Sequence, residues 1–204
     1  MQLPFAHLNL RYNPFGELPL EARPALAILD PQPYLELLSQ PRAALQFMGE
    51  RGRGKTTHLL TLRALEPGPY LHLPEEGPLP EVPLREPLLY LDETQRLPRR
   101  VRKALYRGPS RLVLGAHEDH ADELRRAGRP VTTVLVGASL TPERLALILE
   151  RRIEAARRAP GPVPEVPLAS LESLLSRFGD DLRAIEHHLY ERVQALEEPS
   201  HVQV

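Results

Sequence analysis

Cysteine is missing from this 204-residue sequence, and lysine is nearly missing. Without cysteine, the chain has no disulfide, no thiolate metal site and no cysteine nucleophile. All 26 basic residues are arginine except for Lys55 and Lys103. Such a bias, together with 23 prolines, is typical of a GC-rich genome, so the arginine content alone does not indicate affinity for nucleic acid.

Long apolar runs and a strong net charge are also lacking. No run approaches the roughly 18 residues that a membrane-spanning helix needs, and residues 1–7 have neither the basic region nor the apolar core of a signal peptide. The formal net charge of −1 provides no global attraction to nucleic acid or to acidic membranes, so such binding requires a local patch. We expect a soluble, cytoplasmic protein that has a sizeable core and no membrane partner.

A glycine-rich loop at residues 49–57 fits the phosphate-binding pattern G-x-x-x-x-G-K-[ST]. Its glycines allow the backbone to curl around an anion and to present N–H groups inward. Lys55 would place its ammonium on the β- and γ-phosphates of a nucleotide, and the Thr56 hydroxyl would bind Mg²⁺. An apolar strand at residues 44–48 and a helix at residues 56–65 flank the loop in the order that the motif requires. The predicted nucleotide-binding residues are Gly49, Glu50, Arg51, Gly52, Arg53, Gly54, Lys55, Thr56 and Thr57.

Two acidic residues, Asp92 and Glu93, end an apolar strand that begins at Pro87, which is the Walker B pattern. Ligands of open α/β sheets bind outside the carboxyl ends of the strands, so we expect this pair beside the glycine-rich loop. Asp92 would bind Mg²⁺ directly or through water, and Glu93 would be the catalytic residue that polarises the attacking water.

His117 ends the next predicted strand, residues 111–117. A polar group at that position could sense the γ-phosphate or orient water. The spacing of His117 and His120 leaves a metal site open as an alternative, although further ligands are lacking.

A basic helix is predicted at residues 99–107, with Arg99, Lys103 and Arg107 on one face. A solvated basic face is the favoured interpretation in a chain this rich in arginine, and a contact with nucleic acid is the alternative.

The remaining elements predict an α/β fold with a five-stranded, mainly parallel sheet followed by a small C-terminal helical bundle. A fifth strand follows Pro130, and the proline-rich residues 74–87 favour an extended loop over a helix. Residues 1–43 are predicted to pack on the core, residues 44–140 to form the α/β core, residues 141–196 to form the bundle, and residues 197–204 to be a frayed tail.

The order of these motifs resembles that of the AAA+ ATPases over about residues 44–196. The resemblance implies a P-loop NTPase fold with a helical lid, ATP and Mg²⁺ as cofactors, and a homo-oligomer promoted by ATP. It also implies that Arg183, in a segment similar to sensor 2, acts catalytically on the γ-phosphate, and that His117 occupies the position of sensor 1. Residues 13–15 are similar to a segment of AAA ATPases of secretion and transposition systems. The candidates for a trans-acting arginine finger are Arg125, Arg126 and Arg129.

Two functions therefore remain open. The first is an ATPase that hydrolyses MgATP to drive or switch an interaction with a macromolecular partner, most simply a protein. The second is a nucleotide-dependent binding module with little hydrolysis that recruits a protein or DNA. A small-molecule kinase is disfavoured because an Asp-Glu pair activates water, which a kinase must exclude. A GTPase is disfavoured because neither Lys55 nor Lys103 lies in an Asn-Lys-x-Asp context.

Overall fold

The computed structural model describes residues 4–137, 140–202 and 204, and the chain divides into two compact units. One unit is residues 29–136, and the other combines residues 1–28 with residues 137–204. The segment 1–43, predicted to pack on the core, is divided between the two units after residue 28. The helices are α1 (Arg23–Leu26), α2 (Gln32–Leu38), α3 (Lys55–Leu65), α4 (Arg99–Arg107), α5 (Ala121–Arg126), α6 (Pro142–Ala156), α7 (Leu168–Phe178) and α8 (Leu182–Gln194).

A five-stranded sheet forms the centre of the 29–136 unit. The strands are β1 (Ala44–Met48), β2 (Tyr70–His72), β3 (Leu88–Asp92), β4 (Arg111–Ala116) and β5 (Val131–Leu135). Their order is β2-β3-β4-β1-β5, and each of the four pairings is parallel. The predicted α/β class with a five-stranded parallel sheet is therefore confirmed.

Apolar side chains alternate between the two faces of the sheet and create two buried clusters, as expected for parallel strands covered on both sides. On one face, Leu89 and Leu91 of β3 cluster with Leu105 of α4 and Leu124 of α5. On the other face lies a cluster that includes α2 and α3 residues: Leu38, Phe47, Leu59, Leu62, Tyr90 and Val113. Residues 73–87 contain no helix or strand, in agreement with the prediction of an extended proline-rich segment.

The register of the central strands decides which residues meet at the carboxyl edge of the sheet. Asp92 at the end of β3 lies opposite Gly115 of β4, and Met48 at the end of β1 lies opposite Ala116. The segments that follow β1, β3 and β4 consequently leave the sheet from three adjacent strands. These segments are the glycine-rich loop, Glu93 with the 3₁₀ turn Thr94–Arg96, and His117.

In the second unit, residues near the N-terminus pack into a core built from α6, α7 and α8. The buried Arg152 of α6 donates a hydrogen bond to the Pro14 carbonyl (2.7 Å), donates another to the Gly16 carbonyl, and forms an ion pair with Glu186 of α8. The segment at residues 13–15 is therefore held by the helical bundle through its own backbone.

The tail at residues 197–204 was predicted to fray, and this prediction needs correction. The Val202 side chain is fully buried in the core of the second unit, and its N–H donates to the Glu165 carbonyl (2.8 Å). The apolar side chain and the backbone bond attach this part of the tail to the unit.

No helix within the described ranges has both the length and the hydropathy that crossing a membrane requires.

Candidate functional site

The glycine-rich loop adopts a backbone that its glycines make accessible. Gly52 has φ = 82° and Gly54 has φ = 95°, which are left-handed values that side chains with a Cβ disfavour. Gly49 is required for another reason, because a Cβ at this position would lie 2.6 Å from the carbonyl oxygen of Val136, the residue after β5. The two glycines that the motif specifies, Gly49 and Gly54, and the additional Gly52 therefore each stand where a side chain would clash or strain the backbone.

Lys55 begins α3, and its side chain is 5% exposed. Its ammonium donates to the carbonyls of Gly49 (2.8 Å) and Glu50 (3.0 Å), and therefore folds back across the loop. The same Nζ lies 3.3 Å from Nε2 of His117. The cation is thus held within the curl of the loop, beside the end of β4.

Thr56 and Asp92 are joined directly. The Thr56 hydroxyl donates to Asp92 Oδ2 at 2.6 Å, and the Tyr70 hydroxyl donates to the same oxygen at 3.0 Å. The other oxygen, Oδ1, is buried and has no hydrogen-bond partner among the described residues. It lies over Gly115, where a Cβ would come within 2.5 Å of it. The Thr56 hydroxyl and the Asp92 carboxylate, one of whose oxygens has no hydrogen-bond partner among the described residues, form a hard-oxygen donor set of the kind that Mg²⁺ prefers.

Glu93 has φ = 64° and ψ = 43°, a left-handed conformation that is uncommon outside glycine and costs about 1–3 kcal/mol. Its Oε2 accepts a hydrogen bond from Gln95 Nε2 (2.9 Å) and lies 3.3 Å from Arg96 Nη2. Burial works to raise the pKa of Glu93, but the Gln95 hydrogen bond and the charges of His117, Arg96 and Lys55 outweigh it, so the pKa is lowered. The carboxylate is therefore ionised at neutral pH.

His117 connects the loop to the acidic pair. Its Nε2 lies 3.3 Å from Lys55 Nζ and 3.4 Å from Glu93 Oε2, and its backbone N–H donates to Gln95 Oε1 (3.3 Å). An ammonium only donates, so Nε2 accepts from Lys55 when it carries no hydrogen and donates to Glu93 when it carries one. The two hydrogen bonds are mutually exclusive, and His117 lies where it can make either.

A second layer of charges surrounds Glu93. Arg96 donates to the Leu73 carbonyl (2.7 Å) and pairs with Glu75 (3.2 Å), which also pairs with Arg51 of the glycine-rich loop (2.6 Å). Arg51, Glu75, Arg96 and Glu93 consequently form a chain of ion pairs from the loop to the acidic pair.

Several of these residues were not predicted from the sequence. Tyr70 and His72 lie on β2, where His72 is in register with Asp92 and its Nδ1 is 3.7 Å from the Asp92 carboxylate. Tyr70 and His72 point to the same face of a strand because they are two residues apart, and polar residues directly follow Glu93. These patterns indicate site residues only once β2 is known to pair with β3. The residues missed are Tyr70, His72, Glu75, Gln95 and Arg96.

The alternative of a metal site at His117 and His120 gains no support. Among the described residues, no group of three or more His, Cys, Asp or Glu side chains could hold a metal ion. His120 is buried instead, next to the ring of Tyr106.

The arginine-finger candidates differ sharply in environment. Arg129 is 4% exposed and donates to five backbone carbonyls, so its guanidinium is not presented at the surface. Arg125 and Arg126 are exposed, and each lies within ion-pair distance of Asp122. The acceptors of Arg129 are the carbonyls of Arg42, Leu105, Tyr106, Gly108 and Ser110.

Arg183 belongs to the second unit and is exposed in the first turn of α8. Helix α7 ends before Gly179, which has φ = 60°. Asp181 caps α8 by accepting a hydrogen bond from the Ala184 N–H (3.0 Å).

Known structures with the same fold come from RuvB of Thermotoga maritima, an AAA+ ATPase. One point variant matches 83% of this chain with a TM-score of 0.56 and 17% sequence identity. Another matches 85% of this chain with a TM-score of 0.56 and 16% sequence identity. A RuvB structure described as a Holliday junction branch migration motor matches 90% of this chain with a TM-score of 0.53 and 17% sequence identity. In each case, the chain spans 64% of the RuvB chain. The sequence matched no protein-family model and no curated protein. At this identity, the likeness establishes the fold alone, and the predicted P-loop NTPase fold is confirmed.

Proposed function

We propose that the protein binds MgATP at the carboxyl edge of its sheet and hydrolyses it to drive or switch an interaction with a macromolecular partner. The observation that carries this proposal is the convergence of groups from three separate chain segments. An ammonium, a hydroxyl and two carboxylates meet there through Thr56–Asp92 (2.6 Å), Lys55–His117 (3.3 Å) and His117–Glu93 (3.4 Å). Such a combination of cation, hard-oxygen ligands and ionised base suits a triphosphate and water.

Each residue has a proposed role that follows from its contacts. Lys55 exchanges its two carbonyl acceptors for β- and γ-phosphate oxygens, and the loop N–H groups supply further donors. Thr56 and Asp92 hold Mg²⁺, and Oδ1 of Asp92, which is buried and makes no hydrogen bond among the described residues, must become accessible to bind it. Mg²⁺ supplies neutralisation of the phosphate charge. Glu93 orients the attacking water and accepts its proton, for which an ionised carboxylate is required.

The role of Arg183 in this proposal comes from the resemblance to the AAA+ ATPases. Arg183 is exposed at the start of α8, and a guanidinium at the γ-phosphate would neutralise charge that develops on its oxygens. Arg125 and Arg126 are the remaining candidates for a finger that acts on the site of a neighbouring subunit.

Single-turnover hydrolysis by a Glu93→Gln variant tests the proposal. We expect the rate to fall at least about 100-fold, since general base catalysis contributes roughly that much, while nucleotide affinity measured by calorimetry is retained. Glu118→Gln is the matched control, because Glu118 is an exposed carboxylate next to His117 in sequence. An unchanged rate in Glu93→Gln removes Glu93 from the mechanism. Wild-type nucleotide affinity in Lys55→Ala would refute the binding site itself.

A nucleotide-dependent binding module with little hydrolysis is the second candidate. The observation in its favour is that Glu93 is engaged by both Gln95 and Arg96, which hold the carboxylate in place. This alternative predicts a wild-type rate as slow as that of Glu93→Gln, with binding still dependent on Lys55. A pull-down with Glu93→Gln in the presence of ATP would identify a protein or DNA partner in either case.

A further inference from the structure

Helix α4 carries an unusual density of uncompensated positive charge. Four of its nine residues are exposed cations, and the helix contains no acidic residue. The remaining arginine of the helix, Arg102, is turned towards α5 and pairs with Glu123 (2.6 Å). We call the exposed set the α4 basic face, which consists of Arg99, Arg100, Lys103 and Arg107.

Several surface arginines elsewhere in the described chain have a carboxylate partner, which the members of the α4 basic face lack. Arg51 pairs with Glu75, both Arg125 and Arg126 lie beside Asp122, and Arg157 pairs with Glu154. Within the described residues, no carboxylate pairs with any member of the α4 basic face. Exposed arginines without a carboxylate partner also occur singly elsewhere in the described chain, as at Arg63 and Arg158, so the distinguishing feature of this surface is that four such cations lie on one helix.

The arrangement is also unfavourable for an isolated helix. Arg99 and Arg100 begin α4, where the helix dipole disfavours positive charge, and no acidic side chain lies in the first turn. Like charges four residues apart, as in Arg99, Lys103 and Arg107, destabilise a helix further. A bound polyanion would relieve both effects.

The geometry of the face is linear. Residues four apart are separated by about 6 Å along a helix axis, so Arg99, Lys103 and Arg107 form a row about 12 Å long. The N-terminal end of the row follows β3 by way of the Thr94–Arg96 turn, on the sheet edge that carries the candidate nucleotide site. A nucleic-acid strand advances about 3.4 Å per phosphate along the duplex axis, so the row spans roughly three to four phosphates.

We propose that the α4 basic face binds the phosphodiester backbone of nucleic acid without reading its sequence. The apolar residues Leu105 and Tyr106 are buried in the core, so α4 exposes none of the large apolar side chains that insertion into a membrane surface requires. The centre of a protein interface is normally enriched in aromatic residues, which are also absent from this face. A row of cations alone matches phosphate contacts.

Fluorescence anisotropy with labelled 24-nucleotide DNA, duplex in one arm and single-stranded in the other, tests the proposal. The full chain is titrated without nucleotide, so the result is independent of the proposed ATPase. We expect wild-type binding in at least one arm, unaffected by base sequence. Replacing all four residues of the α4 basic face by Gln should weaken binding at least tenfold. The slope of log K against log salt concentration should become shallower by up to about 0.9 for each cation removed.

The matched control removes the same charge from scattered exposed arginines. It combines Arg63→Gln, Arg158→Gln, Arg177→Gln and Arg192→Gln. Lys103→Gln and Arg107→Gln, measured singly, provide the test if the quadruple variant does not fold. The proposal is overturned if wild type binds neither DNA at 50 mM salt (a concentration at which phosphate contacts are strong), or if the scattered and α4 variants weaken binding equally. It is also overturned if polyglutamate binds as tightly as DNA, which would indicate an acidic protein partner.

Discussion

Asp92 and Gly115 lie opposite each other on β3 and β4, and the missing side chain of Gly115 provides the space for Asp92 Oδ1. In Gly115→Ala, the new Cβ would lie 2.5 Å from that oxygen, while Thr56 and Tyr70 hold Oδ2 in place. We expect the carboxylate to turn and the Mg²⁺ concentration needed for half-maximal hydrolysis to rise about tenfold or more, which corresponds to roughly 1.4 kcal/mol. The measurement is the hydrolysis rate against Mg²⁺ concentration.

Gly16→Ala is a suitable control for that substitution, because the nearest atom to its added Cβ is the Asn13 carbonyl oxygen at 3.4 Å. Its Mg²⁺ requirement should match that of wild type. If Gly115→Ala hydrolysed ATP at wild-type Mg²⁺ concentrations, Asp92 Oδ1 would have no part in holding the metal.

Arg129 illustrates how a candidate for function can be a structural residue. Burial lowers the pKa of its guanidinium to about 10, yet five carbonyl acceptors fix it in place. Arg129→Met removes five hydrogen bonds, and among the described residues only the Leu105 and Gly108 carbonyls keep another donor (the Gly108 N–H and the Arg42 Nε), so the free energy of unfolding should fall by about 3 kcal/mol or more. Urea denaturation measures this, with Arg126→Gln expected within about 0.5 kcal/mol of wild type. Equal stabilities in the two variants would contradict a structural role for Arg129.

At the scale of elements, the contact between α4 and α5 contains a buried histidine. His120 precedes α5, and burial is the main cause that lowers its pKa below the ordinary 6.5, with Arg102 adding to it. The unfolded chain therefore binds the proton first as the pH falls. Stability is fully present above about pH 6.5 and decreases below it, by at most about 1.4 kcal/mol for each pH unit in which only the unfolded state is protonated. The groups around the imidazole are Arg102, Tyr106, Glu118, Asp119 and Glu123.

The corresponding measurement compares urea denaturation at pH 7.5 and pH 5.5 for wild type and His120→Phe. The aromatic replacement retains a ring beside Tyr106 and removes the titration, so the variant should lose less stability on acidification than wild type. Identical losses would show that other groups cause the pH dependence.

Elements whose motif lies in a short stretch of sequence could be predicted. The residues that contact them from distant parts of the chain could not. The glycine-rich loop and the Asp92–Glu93 strand end were recognisable because each is encoded within about ten consecutive residues. The contact of Tyr70 with Asp92 depends on the strand order, which hydrophobic periodicity does not contain. Val202 looked like part of a polar tail because its partner, Glu165, is 37 residues away in sequence. Non-local pairing is thus the common cause of these differences.

At the scale of the whole molecule, the chain crosses between its two units twice. Residues 1–28 join a core that is otherwise built from the helices after residue 137, and the sheet unit lies between them in sequence. The composition of residues 1–28 gave no indication of this, because apolar residues such as Leu8, Leu10 and Phe15 can fill either core. The second unit consequently consists of two distant parts of the chain, and neither part contains its complete core.

Self-association that depends on nucleotide is the remaining prediction at this scale. Arg125 and Arg126 lie exposed on α5, so a guanidinium from one subunit is free to approach the phosphates of another, which Arg129 is not. We expect light scattering to show at least a doubling of mass with a non-hydrolysable ATP analogue, and no change for Lys55→Ala, which lacks the ammonium for the phosphates. The double variant Arg125→Gln and Arg126→Gln should still associate but hydrolyse ATP at least about 100-fold more slowly, the low end for the loss of one positioned donor. If wild type stays monomeric with the analogue, a nucleotide site shared between subunits is excluded. Arg125 and Arg126 would then act, if at all, within one chain.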